Sequence, residues 1–187
     1  MIDLKEYFNK IYLITSYHSK DRLKTTIPYL NSNNIYPELF VAPLKEHFRY
    51  FKCNEIDLWP GCLSLNCAYE QLFQKCLIEN TETALFIEDD IEFKDNWAKT
   101  IQEKWLNKDS WYMLRDGKYT QFFAMSKEAM KDYLKAFALN VYPVDFALND
   151  LRKSCNTPNF ITTQKSKERK VKSAINLEQE SYDLIFE

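Results

Sequence analysis

The sequence predicts an α/β domain in which helices flank a central, mainly parallel sheet. Strand and helix patterns alternate from residue 10 to about residue 105, an order that is typical of parallel sheets. A short β-branched and aromatic run, Lys10–Thr15, indicates the first strand. In residues 61–80 apolar side chains recur at helical spacing, which predicts the best-defined helix of the chain.

Three further segments complete the first part of the alternation. Residues 19–35 carry apolar side chains at helical spacing and predict the first helix, although Pro28 is expected to kink or delay it. Residues 37–43, PELFVAP, predict a second strand bracketed by prolines. Residues 44–60 show no clear period and are interpreted as a loop.

In the second half of the chain, the clearest strand pattern is ALFIEDD, residues 84–90. Ser126 is expected to cap a helix over residues 127–139. The other predicted elements are a helix at 97–105, strands at 110–115 and 119–125 on either side of an Asp-Gly turn dipeptide, a short helix from about Asp145, and a last strand at 159–164.

Length and charge limit the class of protein. With 187 residues and 45% apolar composition, we expect one domain over residues 1–187, with a charged segment at 165–187. A net charge of -2 gives no reason to expect nucleic acid as a partner. No apolar run approaches the roughly 20 residues of a membrane span, and the polar N-terminus does not resemble a signal peptide. A cytoplasmic location without a transmembrane segment is therefore expected.

Scarce residue types exclude several kinds of site. The chain has only 2 glycines, so it lacks the phosphate loops of Walker and dinucleotide-binding proteins. Its 2 histidines exclude an HExxH metalloprotease and disfavour a zinc site built on histidine. The 5 cysteines are never spaced CxxC, which is typical of a protein from a reducing compartment.

Three carboxylates, Glu88, Asp89 and Asp90, end the predicted buried strand. Packing does not account for them, because burying an unpaired carboxylate is expensive. On an extended chain Glu88 and Asp90 point the same way, whereas a turn at the strand end would bring Asp89 and Asp90 together. Such oxygen ligands suit Mg²⁺ or Mn²⁺ carrying a phosphate. The alternative is a solvated junction between strand and loop.

Six segments occur in an order that resembles one enzyme family. They are IYLITSYHSKDRLK, GCLSLNCAYEQLFQKCLIEN, ALFIEDDIEF, FFAMSKEAMKDYL, YPVDFAL and FITTQKSKERKVKSAI. The chain thereby resembles family 25 of the glycosyltransferases, the lipopolysaccharide and procollagen galactosyltransferase type, from about residue 10 to residue 176. The resemblance implies an inverting, nucleotide-sugar-dependent transferase with a GT-A-like (Rossmann-like) domain and a mixed, mainly parallel sheet. The chain departs from the family pattern at residues 14–16 and 65–66, where the family has Asn-Leu and Ser-His.

By this resemblance, the three acids would hold a metal ion and the donor diphosphate. Asp90 is the first choice as a direct ligand, and Asp89 is the second predicted ligand. Glu88 would contact the ribose of the donor or a metal-bound water. The implied cofactor is Mn²⁺, or Mg²⁺ in its place.

Donor contacts are also expected at the end of the first strand, where this fold binds the nucleotide. Thr15 and Ser16 lie there, and Arg22 would make charge-assisted bonds to phosphate, unless it is only an exposed helix arginine. Lys170, in the cationic run 165–172, would close over the diphosphate and stabilise it as a leaving group. The alternative for this run is a solvated, charged face.

Inverting transfer needs a base that accepts the proton of the acceptor hydroxyl. Asp145 in YPVDFAL is the predicted base, and a plain helix N-cap is the alternative interpretation of this residue. Asp150 and Asp116 are the replacements if Asp145 is only a cap.

The resemblance also implies the partners. The donor would be a UDP-sugar that carries a hexose of galactose or glucose type. The acceptor would be a hydroxyl of a glycan, of a lipid-linked sugar or of a protein side chain. The main alternative is a catalytically inactive relative that serves as a binding or assembly module. A metal-dependent phosphotransferase or nuclease is a third possibility for the same acids.

Overall fold

The computed structural model describes residues 2–49, 51–53, 56–106, 111–117, 120–137, 143–151, 154–157 and 161–164. Within them the strands are β1 (Lys10–Ser16), β2 (Glu38–Ala42), β3 (Phe51–Cys53), β4 (Ile56–Leu58), β5 (Thr83–Glu88), β6 (Ile91–Phe93), β7 (Met113–Asp116), β8 (Phe122–Ser126), β9 (Ser154–Thr157) and β10 (Thr162–Gln164). The helices are α1 (Lys20–Ser32), α2 (Pro60–Ile78), α3 (Trp97–Ile101), α4 (Lys127–Phe137) and α5 (Val144–Asp150).

The main sheet has six strands in the order β2-β1-β5-β8-β7-β9. Strand β1 is parallel to both β2 and β5, and β7 is parallel to β9. Strand β8 is antiparallel to both of its neighbours, β5 and β7. All strands of this sheet except β8 therefore run in one direction, and the predicted α/β class with a mixed, mainly parallel sheet is confirmed.

Two apolar clusters cover the two faces of this sheet, because side chains of a strand point alternately to opposite faces. Along β5, Ala84 and Phe86 belong to the cluster that packs against α2, α4 and α5. Leu85 and Ile87 belong to the cluster on the other face, which includes side chains of α1 and α3. Helices therefore flank the sheet on both sides, as the sequence predicts.

Several local predictions are confirmed. The helix predicted at 61–80 is α2, and the hydroxyl of Ser126 accepts a hydrogen bond from the amide of Ala129 at 3.2 Å, as expected of a cap at the start of α4. Helix α1 begins at Lys20 and includes Pro28, so the proline does not delay the helix.

Other local predictions are wrong. The segment interpreted as a loop at 44–60 contains a 3-10 turn and the antiparallel β3–β4 hairpin, whose three-residue strands are too short to show a period. Strand β6 was not predicted for the same reason, and the four-residue strand β9 was not predicted because its sequence, SCNT, has no alternation of apolar and polar side chains that indicates a strand. The helix predicted at 97–105 is divided, because α3 ends at Ile101 and a π-helical turn follows at Gln102–Leu106.

The charged segment at 165–187 lies outside the described residues, so the domain limits 1–187 stay a prediction. Lys170 and the cationic run around it lie in that segment. Within the described part of the chain, no helix combines the length and the apolar character needed to cross a bilayer.

Candidate functional site

The carboxyl ends of β1, β2 and β5 lie side by side at one edge of the main sheet. Ile14 of β1 pairs with Glu88 of β5, so the next residues, Thr15 and Asp89, lie beside each other. Thr120 precedes the antiparallel strand β8, which begins at the same edge. Ligands of open α/β sheets bind at this edge of the sheet.

Asp89 is 5% exposed, and both of its carboxylate oxygens accept hydrogen bonds. Thr15 donates to Oδ2 at 2.5 Å, and Arg22 donates to Oδ1 at 2.7 Å. The hydroxyl of Thr26 donates to the backbone carbonyl of Asp89 at 2.7 Å. Burial raises the pKa of Asp89, while Arg22 and Thr15 oppose that increase. Two residues predicted to contact the donor, Thr15 and Arg22, therefore surround this acid.

Asp90 interacts electrostatically with its two acidic neighbours and with the same arginine. Its Oδ2 is 4.0 Å from Nη1 of Arg22, and the residue is 5% exposed. After burial, the negative charge of Asp90 is the next cause that raises the pKa of Glu88 and of Asp89. Asp90 therefore interacts with both acids, although Glu88 and Asp89 contact helices on opposite faces of the sheet.

Ser16 stands at the predicted strand end, and its hydroxyl contacts the connection to α1 rather than the acids. Its Oγ is 2.7 Å from Oγ of Ser19, in the 3-10 turn that joins β1 to α1. The role of Ser16 in donor binding stays a prediction.

Glu88 occupies the face of the sheet that carries α2. Thr120 donates to Oε1 at 2.5 Å, and the hydroxyl of Tyr69 lies 3.1 Å from the same oxygen and 3.1 Å from the carbonyl of Thr120. Burial raises the pKa of Glu88 to about 8, and the negative charges of Asp90 and Asp145 add to the increase. At neutral pH this carboxyl therefore keeps its proton.

Asp145 stands in the first turn of α5 and not at its N-cap. The N-cap residue is Pro143, which makes no side-chain capping bond. The amide of Val144 donates instead to Oδ1 of Asn66 on α2, at 2.9 Å. The interpretation of Asp145 as a plain N-cap is therefore wrong, because a side chain from another helix serves the first amide of α5.

The charge of Asp145 acts on the same face of the sheet as Glu88. After burial, it contributes to the raised pKa of Glu88 and of Tyr69. Burial lowers the pKa of Arg115, and Asp145 opposes that change. Arg115 is fully buried on β7 and donates to Oδ1 of Asn149 at 2.7 Å. The predicted base is therefore close to a buried cation and a protonated acid.

Asp116 has a structural role at the end of β7. Its Oδ1 accepts from the amide of Ile161 at 3.0 Å, and its Oδ2 accepts from the amide and the hydroxyl of Thr162 at 2.6 and 2.7 Å. The residue is 1% exposed. These bonds tie the start of β10 to the main sheet, and they make Asp116 a poor replacement for the base.

Four residues of this site carry no functional prediction from the sequence: Thr26, Tyr69, Arg115 and Thr120. The charge of Arg115, directly after the apolar residues Met113 and Leu114 of a predicted strand, was a usable signal for this residue. Tyr69 falls in the apolar stripe of α2, where a tyrosine cannot be distinguished from a core aromatic by spacing. Nothing in the sequence near Thr120 indicates that it contacts Glu88.

The acidic side chains of this site meet the usual requirements of a metal site only in part. Among the residues that the structure describes, no group of three or more His, Cys, Asp or Glu side chains is arranged to hold a metal ion. Mg²⁺ and related ions are often bound by one or two carboxylates, with water and substrate phosphates completing the shell. At most two carboxylates of the described site could therefore contact such an ion, and a phosphate ligand and water would have to complete its shell.

Several solved structures resemble this fold, and they include the following two. One is A197 from STIV, with a TM-score of 0.45, and the other is a glycosyltransferase involved in the glycosylation of the major capsid of PBCV-1, with a TM-score of 0.41. In both cases the sequence identity is 10%, and the match covers 80% of this chain and 82% of the other chain. No family model matches the chain, and no curated protein matches it. A glycosyltransferase is thus among the structural neighbours, at a likeness that carries no argument about activity.

Proposed function

We propose that the protein is a metal-dependent, inverting glycosyltransferase that moves a hexose of galactose or glucose type from a UDP-sugar to an acceptor hydroxyl. The proposal combines the resemblance of six segments with one structural observation. Two buried aspartates, Asp89 and Asp90, lie beside the guanidinium of Arg22 at the carboxyl ends of β1 and β5. A site with fixed charges of both signs suits a ligand that brings a diphosphate and a cation.

Arg22 supports the diphosphate part of this proposal. Its side chain is 31% exposed, and its ion pair with Asp89 uses Nη1. A guanidinium carries five N–H donors in a planar fork, so other donors can reach a phosphate oxygen. Charge-assisted bonds of this kind are roughly twice as strong as neutral ones.

Asp90 is the residue that we assign to Mn²⁺ or Mg²⁺. When bound, the cation would offset the negative charge that develops on the leaving diphosphate. The protein's own contribution is to keep Asp90 buried at 5% exposure beside Arg22, in a setting where fixed charges act strongly.

Asp145 is the proposed general base. It lies on the face of the sheet where Glu88 holds a proton at neutral pH, which leaves fewer negative charges around it. Asn66 fixes the start of the helix that carries Asp145.

Calorimetric titration with UDP tests the proposal, with and without Mn²⁺. We expect binding to be tighter when Mn²⁺ is present. In Arg22→Gln the affinity for UDP should fall by about tenfold or more, because a charged hydrogen bond to phosphate is lost. Lys24→Gln is the matched control, since Lys24 lies on the same helix with its side chain 76% exposed, and its affinity should equal that of the parent.

Failure of the parent to bind UDP, with or without the metal, would contradict the proposal and favour the inactive binding module. If UDP binds, hydrolysis of a panel of UDP-hexoses identifies the sugar. Equal loss of affinity in Arg22→Gln and Lys24→Gln would point to general charge attraction instead of a phosphate contact.

A further inference from the structure

We propose that Asp89 is a positioning residue for Arg22 and not a metal ligand. The inference rests on the proposed function and assigns different roles to Asp89 and Asp90. Asp90 contacts the cation, while Asp89 holds the arginine that contacts the diphosphate. The opposite assignment, with both aspartates on the metal, is what the family resemblance implies.

The carboxylate of Asp89 is already engaged by the protein. Each of its oxygens accepts a hydrogen bond, from Thr15 at 2.5 Å and from Arg22 at 2.7 Å. Its surface is 5% exposed. A cation on the same carboxylate would have to share an oxygen with one of these hydrogen bonds or displace it, and displacing the charged bond would release Arg22.

A second contact fixes the same residue through its backbone. The hydroxyl of Thr26 is buried and donates to the carbonyl of Asp89 at 2.7 Å. Arg22 and Thr26 are four residues apart on α1, so they lie on one face of the helix. One face of α1 therefore donates hydrogen bonds to both the side chain and the main chain of Asp89. The position of Arg22 depends on both contacts.

Asp90 is placed differently with respect to the same arginine. Its Oδ2 lies 4.0 Å from Nη1 of Arg22, which is too long for a hydrogen bond. The two aspartates thus share one cationic neighbour, and the hydrogen bond goes to Asp89. This asymmetry is the reason to expect that the two residues respond differently to mutation.

A double-mutant cycle tests the assignment, with the affinity for UDP measured in the presence and absence of Mn²⁺. The variants are Asp89→Asn, Arg22→Gln, the combination of both, and Asp90→Asn. We expect Asp89→Asn to lose about tenfold in affinity for UDP, because the arginine is less firmly held. The factor by which Mn²⁺ strengthens UDP binding should stay at the parental value in Asp89→Asn and disappear in Asp90→Asn.

The combined variant should bind UDP as weakly as Arg22→Gln alone, because a residue that acts through another adds nothing once that other residue is gone. Additive losses in the cycle, or loss of the Mn²⁺ effect in Asp89→Asn, would overturn the inference and leave the proposed function intact. A parent protein that binds no UDP would overturn both.

Thr26→Val supplies a second test that leaves all charges in place. It should weaken UDP binding while the Mn²⁺ factor is unchanged, and Thr26→Ser should restore the affinity. Thr25→Val is the matched control, because Thr25 is exposed and its hydroxyl donates to the carbonyl of Arg22 within the helix, at 2.9 Å. Parental affinity in Thr26→Val would contradict the positioning role.

Discussion

Glu88 and Asp89 are consecutive acids whose side chains contact opposite faces of the same sheet. On the α1 side, Asp89 accepts a hydrogen bond from the guanidinium of Arg22 at 2.7 Å. On the α2 side, Glu88 has the neutral hydroxyls of Tyr69 and Thr120 as its partners. One strand end therefore presents two carboxyls, which belong to different electrostatic environments.

The two acids differ in the contributions that follow burial. Burial raises the pKa of both carboxyls. At Asp89 the positive charge of Arg22 opposes this increase, whereas at Glu88 the negative charges of Asp90 and Asp145 add to it and the pKa reaches about 8. At neutral pH the cluster of three acids therefore carries less negative charge than three ionised carboxylates would.

The largest effect is expected at the α2 side, from Asp145→Asn. If Asp145 is the base, the rate of transfer should fall by about 10²–10⁴, because the acceptor hydroxyl loses its proton acceptor. Donor affinity should survive, since Arg22 and the aspartates lie on the α1 side. Asparagine keeps the shape of the side chain, so folding should change little. Transfer assays and UDP titration together measure both quantities.

Asp150→Asn is the control for this prediction, because Asp150 is exposed at the last position of α5. It should leave the rate unchanged. A parental rate in Asp145→Asn, combined with a large loss in Asp150→Asn, would transfer the role of the base to Asp150.

Stability should depend on pH through Glu88. Its ordinary pKa of 4.5 rises to about 8 in the folded state, so the folded protein holds a proton that the unfolded chain has released. This contribution is fully present below about pH 4.5 and is lost as the pH rises through about 8. The free energy of unfolding should therefore fall by about 1 kcal/mol or more between about pH 5 and pH 8.

Urea denaturation in metal-free buffer measures this slope. In Glu88→Gln this part of the slope should be absent, because glutamine does not titrate. Glu6→Gln, at an exposed position in the first 3-10 turn, should keep the parental slope. An unchanged slope in Glu88→Gln would contradict the description of the α2 side as a site that holds a proton.

A smaller effect is expected from Tyr69→Phe. The substitution removes a hydroxyl that lies 3.1 Å from Glu88 and 3.1 Å from the carbonyl of Thr120, and it keeps the ring in the core. The free energy of unfolding should decrease by about 1–2 kcal/mol. Tyr112→Phe is the control: it removes an exposed bond to Asp132, of 2.8 Å, and should cost less than about 0.5 kcal/mol. Equal losses in both variants would show that the buried hydrogen bonds of Tyr69 contribute no more to the free energy of unfolding than the exposed one of Tyr112.

The smallest effect links the two sides through Asp90. Its charge is, after burial, the next cause of the raised pKa of Glu88. Asp90→Asn should therefore lower the pKa of Glu88, and burial should still keep it above the ordinary value. Titration of the Glu88 carboxyl carbon by NMR, in metal-free buffer, follows this change. A pKa of Glu88 that does not move would show that Asp90 and Glu88 are electrostatically independent.

Patterns among residues that are close in sequence were sufficient to predict most of the fold. The periodicity of α2, the apolar run of β5 and the capping serine at position 126 each depend on neighbouring residues, and each was predictable. The sequence also placed Thr15 and the acids at strand ends, and strand ends of a parallel sheet meet at one edge. The three-residue strands β3, β4, β6 and β10 are below the length at which alternation can be recognised, and only β10 fell within a predicted strand.

Tertiary structure alone decided which neighbours each of the three acids contacts. Sequence spacing left open whether Glu88 and Asp90, or Asp89 and Asp90, would act together, because the answer depends on partners far along the chain. Arg22 and Thr26 are separated from Asp89 by 67 and 63 positions, and Thr120 from Glu88 by 32. A carboxyl's charge state is set by what surrounds it in space, and burial, counter-charge and neighbouring acids exist only once β1, α1, α2 and α5 have packed around the end of β5.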